Sequence, residues 1–356
     1  MASVLVAMSG GVDSSVAACL LHEAGHEVLG SHLKLVDGAS TDHGCCGPQA
    51  ETDARAVAEH AGFAFETPDL RGRFADHVLD DFVSEHEQGR TPNPCVRCNQ
   101  HIKFGALIER ADELGIDLVA TGHYVRSDRG DDGRWRLLRG RDRAKDQSYM
   151  VHTLGQRELA RVVFPIGGQT KEETRAHARR LGLPVADKPD SQELCFAPSG
   201  DAGGFLRTHA PHLLREGDVV SPDGRPLGTH AGAALYTVGQ RRGVGVSTGE
   251  RSYVLEVDPR ANRVVVGPGE MLARRGFEGD RVTWVAGEPP GGALKVEVQI
   301  RYRGSAVPAM LLASSERGSA RVEFDAPQRA VAPGQSAVFY RGDEVLGGAR
   351  IKRAFP

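Results

Sequence analysis

The chain has 356 residues, 40% hydrophobic and 26% charged, with a formal net charge of −3 at pH 7. That length exceeds one ordinary core and points to two or three soluble globular domains, while the charge balance leaves a nucleic-acid partner only local basic patches. No apolar run approaches what a bilayer needs, and no Lys or Arg precedes Lys34, so no leader or membrane partner is expected and the location reads as cytoplasmic.

Residues 4–8 form an apolar run and 16–24 an alanine-rich one. Between them Ser9, Gly10, Gly11, Val12, Asp13, Ser14 and Ser15 read as strand end, glycine turn and helix start. Glycines admit positive φ and close approach of a ligand, and amides at a helix N-terminus attract phosphate. There is no P-loop lysine and no dinucleotide fingerprint. The loop resembles the pyrophosphate loop (PP-loop) of the ATP pyrophosphatases, and the resemblance implies that it holds the β and γ phosphates of ATP.

Onward to about Pro189, short β-like runs at 28–35, 63–67 and 118–121 alternate with helical patterns at 14–24, 48–61, 74–88 and 102–114. This is the pattern of a doubly wound parallel sheet, whose ligands sit outside the carboxyl ends of the strands. The run 134–145 holds six basic residues and one acid. It reads either as a phosphate-gripping patch or as a solvated hairpin. Residues 171–181 read as a basic surface helix with a structural role. After Cys195 glycine-punctuated β-like runs take over, at 234–238, 253–258, 263–266, 282–285, 294–300, 309–312, 320–324, 336–340 and 345–351. The expected organisation is an α/β domain over 1–205 and two small mainly-β domains over 206–276 and 277–356, the last a β-barrel.

The six cysteines, at 19, 45, 46, 95, 98 and 195, avoid the last third of the chain, which suggests chemistry or metal in a reducing compartment. Cys95 and Cys98 form a Cys-x-x-Cys turn that would lead into a helix near His101, with Arg97 and Lys103 close by to favour a thiolate. Cys95 with Cys98, joined by Cys45 and Cys46, is alternatively a site for zinc or an iron–sulfur cluster.

Eight separated stretches make the resemblance specific: 7–15; 89–94 with 98–104; 120–124; 145–149; 190–191 with 195–196; 236–245; 301–303; and 333–340. Along nearly its whole length the chain resembles the bacterial tRNA-specific 2-thiouridylases, the MnmA/TrmU family of the PP-loop superfamily. The resemblance implies that ATP, with Mg²⁺, adenylates the oxygen on carbon 2 of the wobble uridine of tRNA and that sulfur then replaces it. Cys195 would carry the sulfur as a persulfide received from a carrier protein. Cys98 would be the partner nucleophile, able to form a transient disulfide with Cys195.

By the same resemblance Ala7, Met8, Ser9, Gly10, Gly11, Val12, Asp13, Ser14, Leu33 and Gly122 match ATP contacts, with Asp13 also organising Mg²⁺. Asn93, Pro94 and Cys95 match the cradle of the flipped target base. His123, Lys145, Asp146, Gln147, Arg301, Tyr302 and Gln335 match tRNA contacts. Some relatives carry an aspartate where this chain has Cys95, so the proton would travel through Cys95, water or His123. A monomer is expected. Another PP-loop adenylating enzyme, or a metal-stabilised RNA-binding module without catalysis, are the alternatives.

Overall fold

The computed structural model describes residues 1–36, 47–190, 194–197, 201–246, 251–313 and 318–356; Cys45 and Cys46 lie outside them. β1 (Ser3–Ala7), β2 (Glu27–Ser31), β3 (Ala64–Glu66) and β4 (Leu118–Thr121) are followed by the hairpin of β5 (Val125–Arg129) and β6 (Trp135–Arg139) and then by β7 (Val162–Val163). The order β3-β2-β1-β4-β7 makes one parallel sheet. Its middle strand is dry on both faces, because Leu5 packs into one apolar cluster while Val4 and Val6 pack into another.

Helices supply the two covers. On the Val4 and Val6 side lie α1 (Val12–Glu23), α2 (Pro48–Ala61) and, beyond the hairpin, a helix over Lys171–Arg180. The Leu5 side is covered by α3, helical over 71–87 with a π-helical stretch Ala75–Leu79, and α4, helical over 94–114 with a π-helical stretch Asn99–Ala106. The helix Lys171–Arg180 is α5, and α6 spans Ala202–His209. Alanine-rich α1 fits against the sheet because Ala17 and Ala18 present no bulk at full burial.

Two β units follow. β8 (Gly217–Val220), β9 (Pro226–His230), β10 (Ser252–Asp258) and β11 (Arg263–Pro268) form a sheet in the order β10-β11-β8-β9. β12 (Ala273–Trp284), β13 (Ala293–Gln299), β14 (Val307–Ala313), β15 (Ala320–Arg329), β16 (Ser336–Arg341) and β17 (Glu344–Phe355) pair in the order β12-β15-β14-β13-β16-β17. β17 returns to β12 and closes a six-stranded barrel around Phe277, Val298, Leu311, Val322, Phe339 and Ile351. Closure leaves these strands no open edge.

Several expectations need correction. Residues 234–238 are not a strand: Ala233–Leu235 is a tight turn whose backbone bonds stay local, with Tyr236 N donating to Ala233 O. β8 and β9 replace it in the small sheet, and 282–285 falls at the end of the long β12. The run 28–35 leaves the sheet after Ser31, and α4 starts at Pro94, so Cys95 and Cys98 sit inside its first turns and not in a turn before His101. The divisions set after 205 and after 276 cut α6 and β12.

The basic run covers β6, the second strand of the β5–β6 hairpin, and the segment after it, and β6 pairs with β17, which stitches the first domain to the barrel. Its arginines are neutralised: Arg134 by Glu288, Arg136 by Asp128, Arg139 by Asp146, Arg141 by Glu173 and Arg143 by Asp343. The run is therefore no bare patch for phosphates.

Candidate functional site

The glycine–serine loop joins β1 to α1 at the carboxyl edge of the sheet. Gly10 takes φ +65°, and a Cβ there would stand 2.1 Å from Ala50 O, so the turn closes only with glycine. The serines brace the loop. Ser9 N donates to Ser14 Oγ at 3.1 Å, and Ser15 Oγ donates to Gly11 O at 2.8 Å. Gly11 at the N-cap of α1 supplies no side-chain acceptor, so the first-turn amides point toward a cleft that can hold an anion.

That cleft has a volume of about 420 Å³ and is lined by Ala7, Met8, Ser9, Gly11, Val12, Asp13 and Ser14, by Leu33, and by Gly122. Gly10 faces α2 instead. A Cβ on Gly122 would lie 2.5 Å from Ser14 N, so only glycine lets the end of β4 close on the loop. From the rest of the chain Cys95, His123, Lys145, Gln147 and Tyr302 reach the same cleft. Asn93 and Pro94 do not line it. Asn93 caps α4 by accepting from Val96 N at 3.3 Å and borders a second cavity of about 50 Å³ beside Arg281 and Arg350, while Pro94 is buried.

An ion-pair chain joins Asp13, Lys145 and Asp190 of the cleft lining through Lys171, which lies behind it. Lys171 Nζ lies 2.7 Å from Asp13 Oδ1 and 2.7 Å from Asp190 Oδ1, and Lys145 Nζ donates to Asp190 Oδ2 at 2.8 Å. Burial alone would raise the Asp190 carboxyl, but the bonds from Lys145 and Lys171 win and hold it at about 2. Burial, then the nearby Asp13 charge, push the Tyr124 phenol up, so its hydroxyl donates to Asp13 Oδ1 at 2.9 Å. Lys188, Asp53 and the Gly10 carbonyl form a second knot behind the loop, with Lys188 Nζ 3.0 Å from Gly10 O. Tyr124 and Asp190 line the cleft, and Lys171 and Lys188 stand behind that lining; the sequence pattern marks none of the four as part of an ATP site. Lys171 hides as the first residue of a helix that reads as an ordinary surface one.

His123 is buried, with its Nδ1 2.8 Å from Thr121 Oγ1. Burial, and then the charge of Lys103, hold its imidazole at about 3, so it is neutral near pH 7 and unsuited to carry a proton as an acid. Asp146 is turned inward, accepting from Gly140 N, Ser148 N and Ser148 Oγ. Gln335 Nε2 donates to Thr91 O at 2.8 Å and so fastens the barrel to the segment before α4. Arg301 is exposed on the β13–β14 connection, next to Tyr302 and to Arg303, which takes φ +60°.

The thiols lie beyond the cleft wall. Cys98, one turn after Cys95, is buried in the apolar cluster against which Cys195 packs, half-buried. Phe196 anchors the Cys195 segment, its ring 5.2 Å from that of Phe82 and 4.8 Å from that of Phe205. Arg97 is drawn toward Asp81, at 3.5 Å.

Among the described residues no group of three or more His, Cys, Asp or Glu side chains stands within reach of one metal ion. Magnesium prefers one or two carboxylates plus phosphates and water, yet both oxygens of Asp13 already accept from Lys171. The fit of Asp13 to a protein-held magnesium is therefore poor. A cluster on Cys95 and Cys98 would need Cys45 and Cys46, which lie outside the described residues.

Comparison with known proteins adds the family. The model of the tRNA methyl transferase HUP domain matches residues 2–199, that of the tRNA methyl transferase PRC-barrel domain 203–268, and that of the aminomethyltransferase beta-barrel domain 274–351. The chain is 48% identical to the tRNA-specific 2-thiouridylase MnmA of Chloroflexus aurantiacus, over 99% of each chain. It is also 48% identical to the protein of that name from Acidothermus cellulolyticus, over 98% of this chain and 97% of the relative. A match this high along the whole length leaves one assignment: the chain belongs to the tRNA-specific 2-thiouridylase MnmA family.

Proposed function

We propose that this chain is an ATP-dependent tRNA-uridine 2-sulfurtransferase that makes 2-thiouridine and releases AMP and pyrophosphate. One observation carries the reading. The glycine–serine loop, Cys95 and Tyr302 share one cleft, while Cys98, a single helical turn from Cys95, shares an apolar cluster with Cys195. The family models speak of methyl transfer, but a polyphosphate loop and a pair of thiols suit thiolation.

In the first half the loop amides and Lys171 bind and orient the β and γ phosphates, so that the carbon-2 oxygen of uridine attacks the α-phosphorus and pyrophosphate leaves. The N3 proton leaves to water or to Cys95, since His123 is held neutral and only weakly basic. In the second half the terminal sulfur of a persulfide on Cys195 attacks carbon 2 and AMP departs. The Cys98 thiolate then attacks the Cys195 sulfur; the sulfur–sulfur bond breaks toward the base, leaving thiouridine and a Cys98–Cys195 disulfide that an external dithiol reduces. Asn93, by capping α4, and Gln335, by tying the barrel to residues 91 and 92, position this helix start. Lys145, Gln147, Arg301 and Tyr302 contact the RNA in this reading. A sulfur-carrier protein loads Cys195, and the enzyme works as a cytoplasmic monomer.

The test is incubation with unmodified tRNA, Mg-ATP and a sulfide source, followed by nucleoside mass spectrometry and pyrophosphate assay. The expected result is 2-thiouridine with matching pyrophosphate. Consumption of ATP without thiouridine, or neither product, overturns the reading.

A further inference from the structure

Charge concentrates where the barrel meets α3. Asp280 and Arg350 face each other across the β12–β17 ladder, and Arg350 donates to both carboxylate oxygens, at 2.7 and 2.6 Å. The register then slips between Asp280 and Thr283, and Arg281 takes φ +48°, a left-handed conformation that an arginine adopts only with strain. Bulges re-aim side chains, and this one sends Arg281 to α3. There it lies 2.6 Å from Asp81 and 3.5 Å from Glu85, one helical turn on, and Arg350 donates to Glu85 as well. Glu85 is 1% exposed. Burial pushes its carboxyl up despite Arg350, Arg90 and Arg281, so the arginines hold a charge that the interior opposes.

The same two carboxylates reach the thiol helix. Asp81 is shared between Arg281 and Arg97, the latter at 3.5 Å, and Arg97 lies between Cys95 and Cys98 in the first turns of α4. Arg90, just before that helix, is 3.6 Å from the other oxygen of Glu85. Glu85 and Arg97 both line the cavity of about 50 Å³ between the barrel and the start of α4, and Glu85 Oε2 and Arg97 Nε are buried with no other hydrogen-bond partner among the described residues. The space suits a water that accepts from the arginine and donates to the carboxylate.

Resting on the two-step reading above, we propose that Glu85 is a positioning residue of the sulfur half-reaction. Gripped by Arg281 and Arg350, it registers the barrel on α3. Through Asp81 and Arg97 the same contact registers the start of α4, and with it Cys98. Charge-assisted bonds suit this task because they fix direction, which apolar contact does not. Glu85 itself touches neither nucleotide nor thiol.

The test compares the full chain with Arg281→Met, Glu85→Gln and Arg281→Lys under the thiolation conditions above. The readout is thiouridine formed per pyrophosphate released, a ratio that unfolded molecules do not alter because they make neither product. Arg281→Met and Glu85→Gln should lower it at least about tenfold, since a reacting group misplaced by about 1 Å costs about a hundredfold. ATP affinity, by calorimetry, should stay at the parental value. Arg281→Lys keeps the cation and should restore most of the ratio. Without tRNA, alkylation of Cys98 by iodoacetamide, followed by peptide mass spectrometry, should run several-fold faster in Arg281→Met than in the parent. A merely structural contact predicts less of both products at an unchanged ratio, and that result overturns the proposal. An unchanged alkylation rate overturns it too, as does weaker tRNA binding at an unchanged ratio, which would make Arg281 an RNA contact. If the parent itself makes no thiouridine, the thiolation reading fails, and the alkylation arm still decides whether the contact holds Cys98 in place.

Discussion

The cleft and the thiol cluster are neighbours built on opposite principles. The cleft mixes apolar lining, from Met8, Val12, Leu33 and Met150, with charges that include the chain of Asp13 with Lys171 and of Lys171 and Lys145 with Asp190. The cluster around Cys98 is walled by Phe74, Phe82 and Phe196. One α-helix serves both, presenting Cys95 to the cleft and Cys98 to the cluster. On the proposed reading, the difference keeps the two half-reactions apart by solvation: phosphate chemistry wants fixed charges, and a persulfide wants shelter from water until its electrophile exists.

The strongest way to sharpen this contrast is to remove the sulfur half alone. Cys195→Ser and Cys98→Ser should each reduce thiouridine formation by at least about a thousandfold, the usual loss when a covalent nucleophile is removed. Pyrophosphate release on tRNA should persist in both. If either variant thiolates at the parental rate, the two regions do not divide the labour as argued.

The converse experiment attacks the cleft. Gly122→Val places a branched side chain where Ser14 N stands 2.5 Å from the Cβ position, so β4 and α1 must separate. Overpacking of this kind costs about 1–3 kcal/mol, and because the strain falls on the loop itself, ATP affinity should drop by roughly tenfold or more. Titration with ATP checks it, with the circular dichroism spectrum as the control for folding. Retained affinity would show that the end of β4 is free to give.

How much of this contrast was readable beforehand follows from the range of the forces. The β1–loop–α1 unit is local, so periodicity and two glycines were enough to place it, and every strand of the parallel sheet but the short β7 was expected close to where it lies. The cation wall was not legible. Lys171 becomes a site residue only because its helix returns across α1, and the neutralisation of Arg136 and Arg143 depends on carboxylates at 128 and 343. β8 and β9 were missed because Gly217–Val220 and Pro226–His230 are short and sparsely apolar, and the small sheet is completed by strands far along the chain. The split of Asn93 and Pro94 from Cys95 arises from a helix that begins at Pro94, a proline well suited to a first helical position but easily read as a turn.

Acid should blur the contrast from both sides. His123 borders the cleft and His152 borders the small cavity at the barrel; burial lowers them to about 3 and about 4. The unfolded chain takes up these protons near pH 6.5, while the folded one refuses them, so the stability from both is whole above about 6.5 and is lost as pH falls toward the folded values. Each buried imidazole removes about 1.4 kcal/mol per pH unit in that window. Urea unfolding at pH 7.5 and 5.5 measures it, and equal stability at the two would mean that one or both rings protonate inside the fold.

The smallest effect is reserved for the barrel, which among the described residues reaches the cleft through Tyr302 and Arg303 of the β13–β14 connection. Arg301 is exposed there, and its carbonyl accepts from Gly304 N and from Gln299 Nε2. Arg301→Ala should therefore leave the fold, ATP affinity and the thiols alone. It should weaken tRNA binding a few-fold and reduce the slope of log affinity against log salt by about one, the signature of a lost phosphate contact. Filter binding across a salt series separates this from lost base recognition, which would lower affinity without changing the slope. An unaltered slope and affinity would make the barrel a brace for α4, acting through Gln335 and the β6–β17 seam, and would leave recognition of RNA to the cleft side alone.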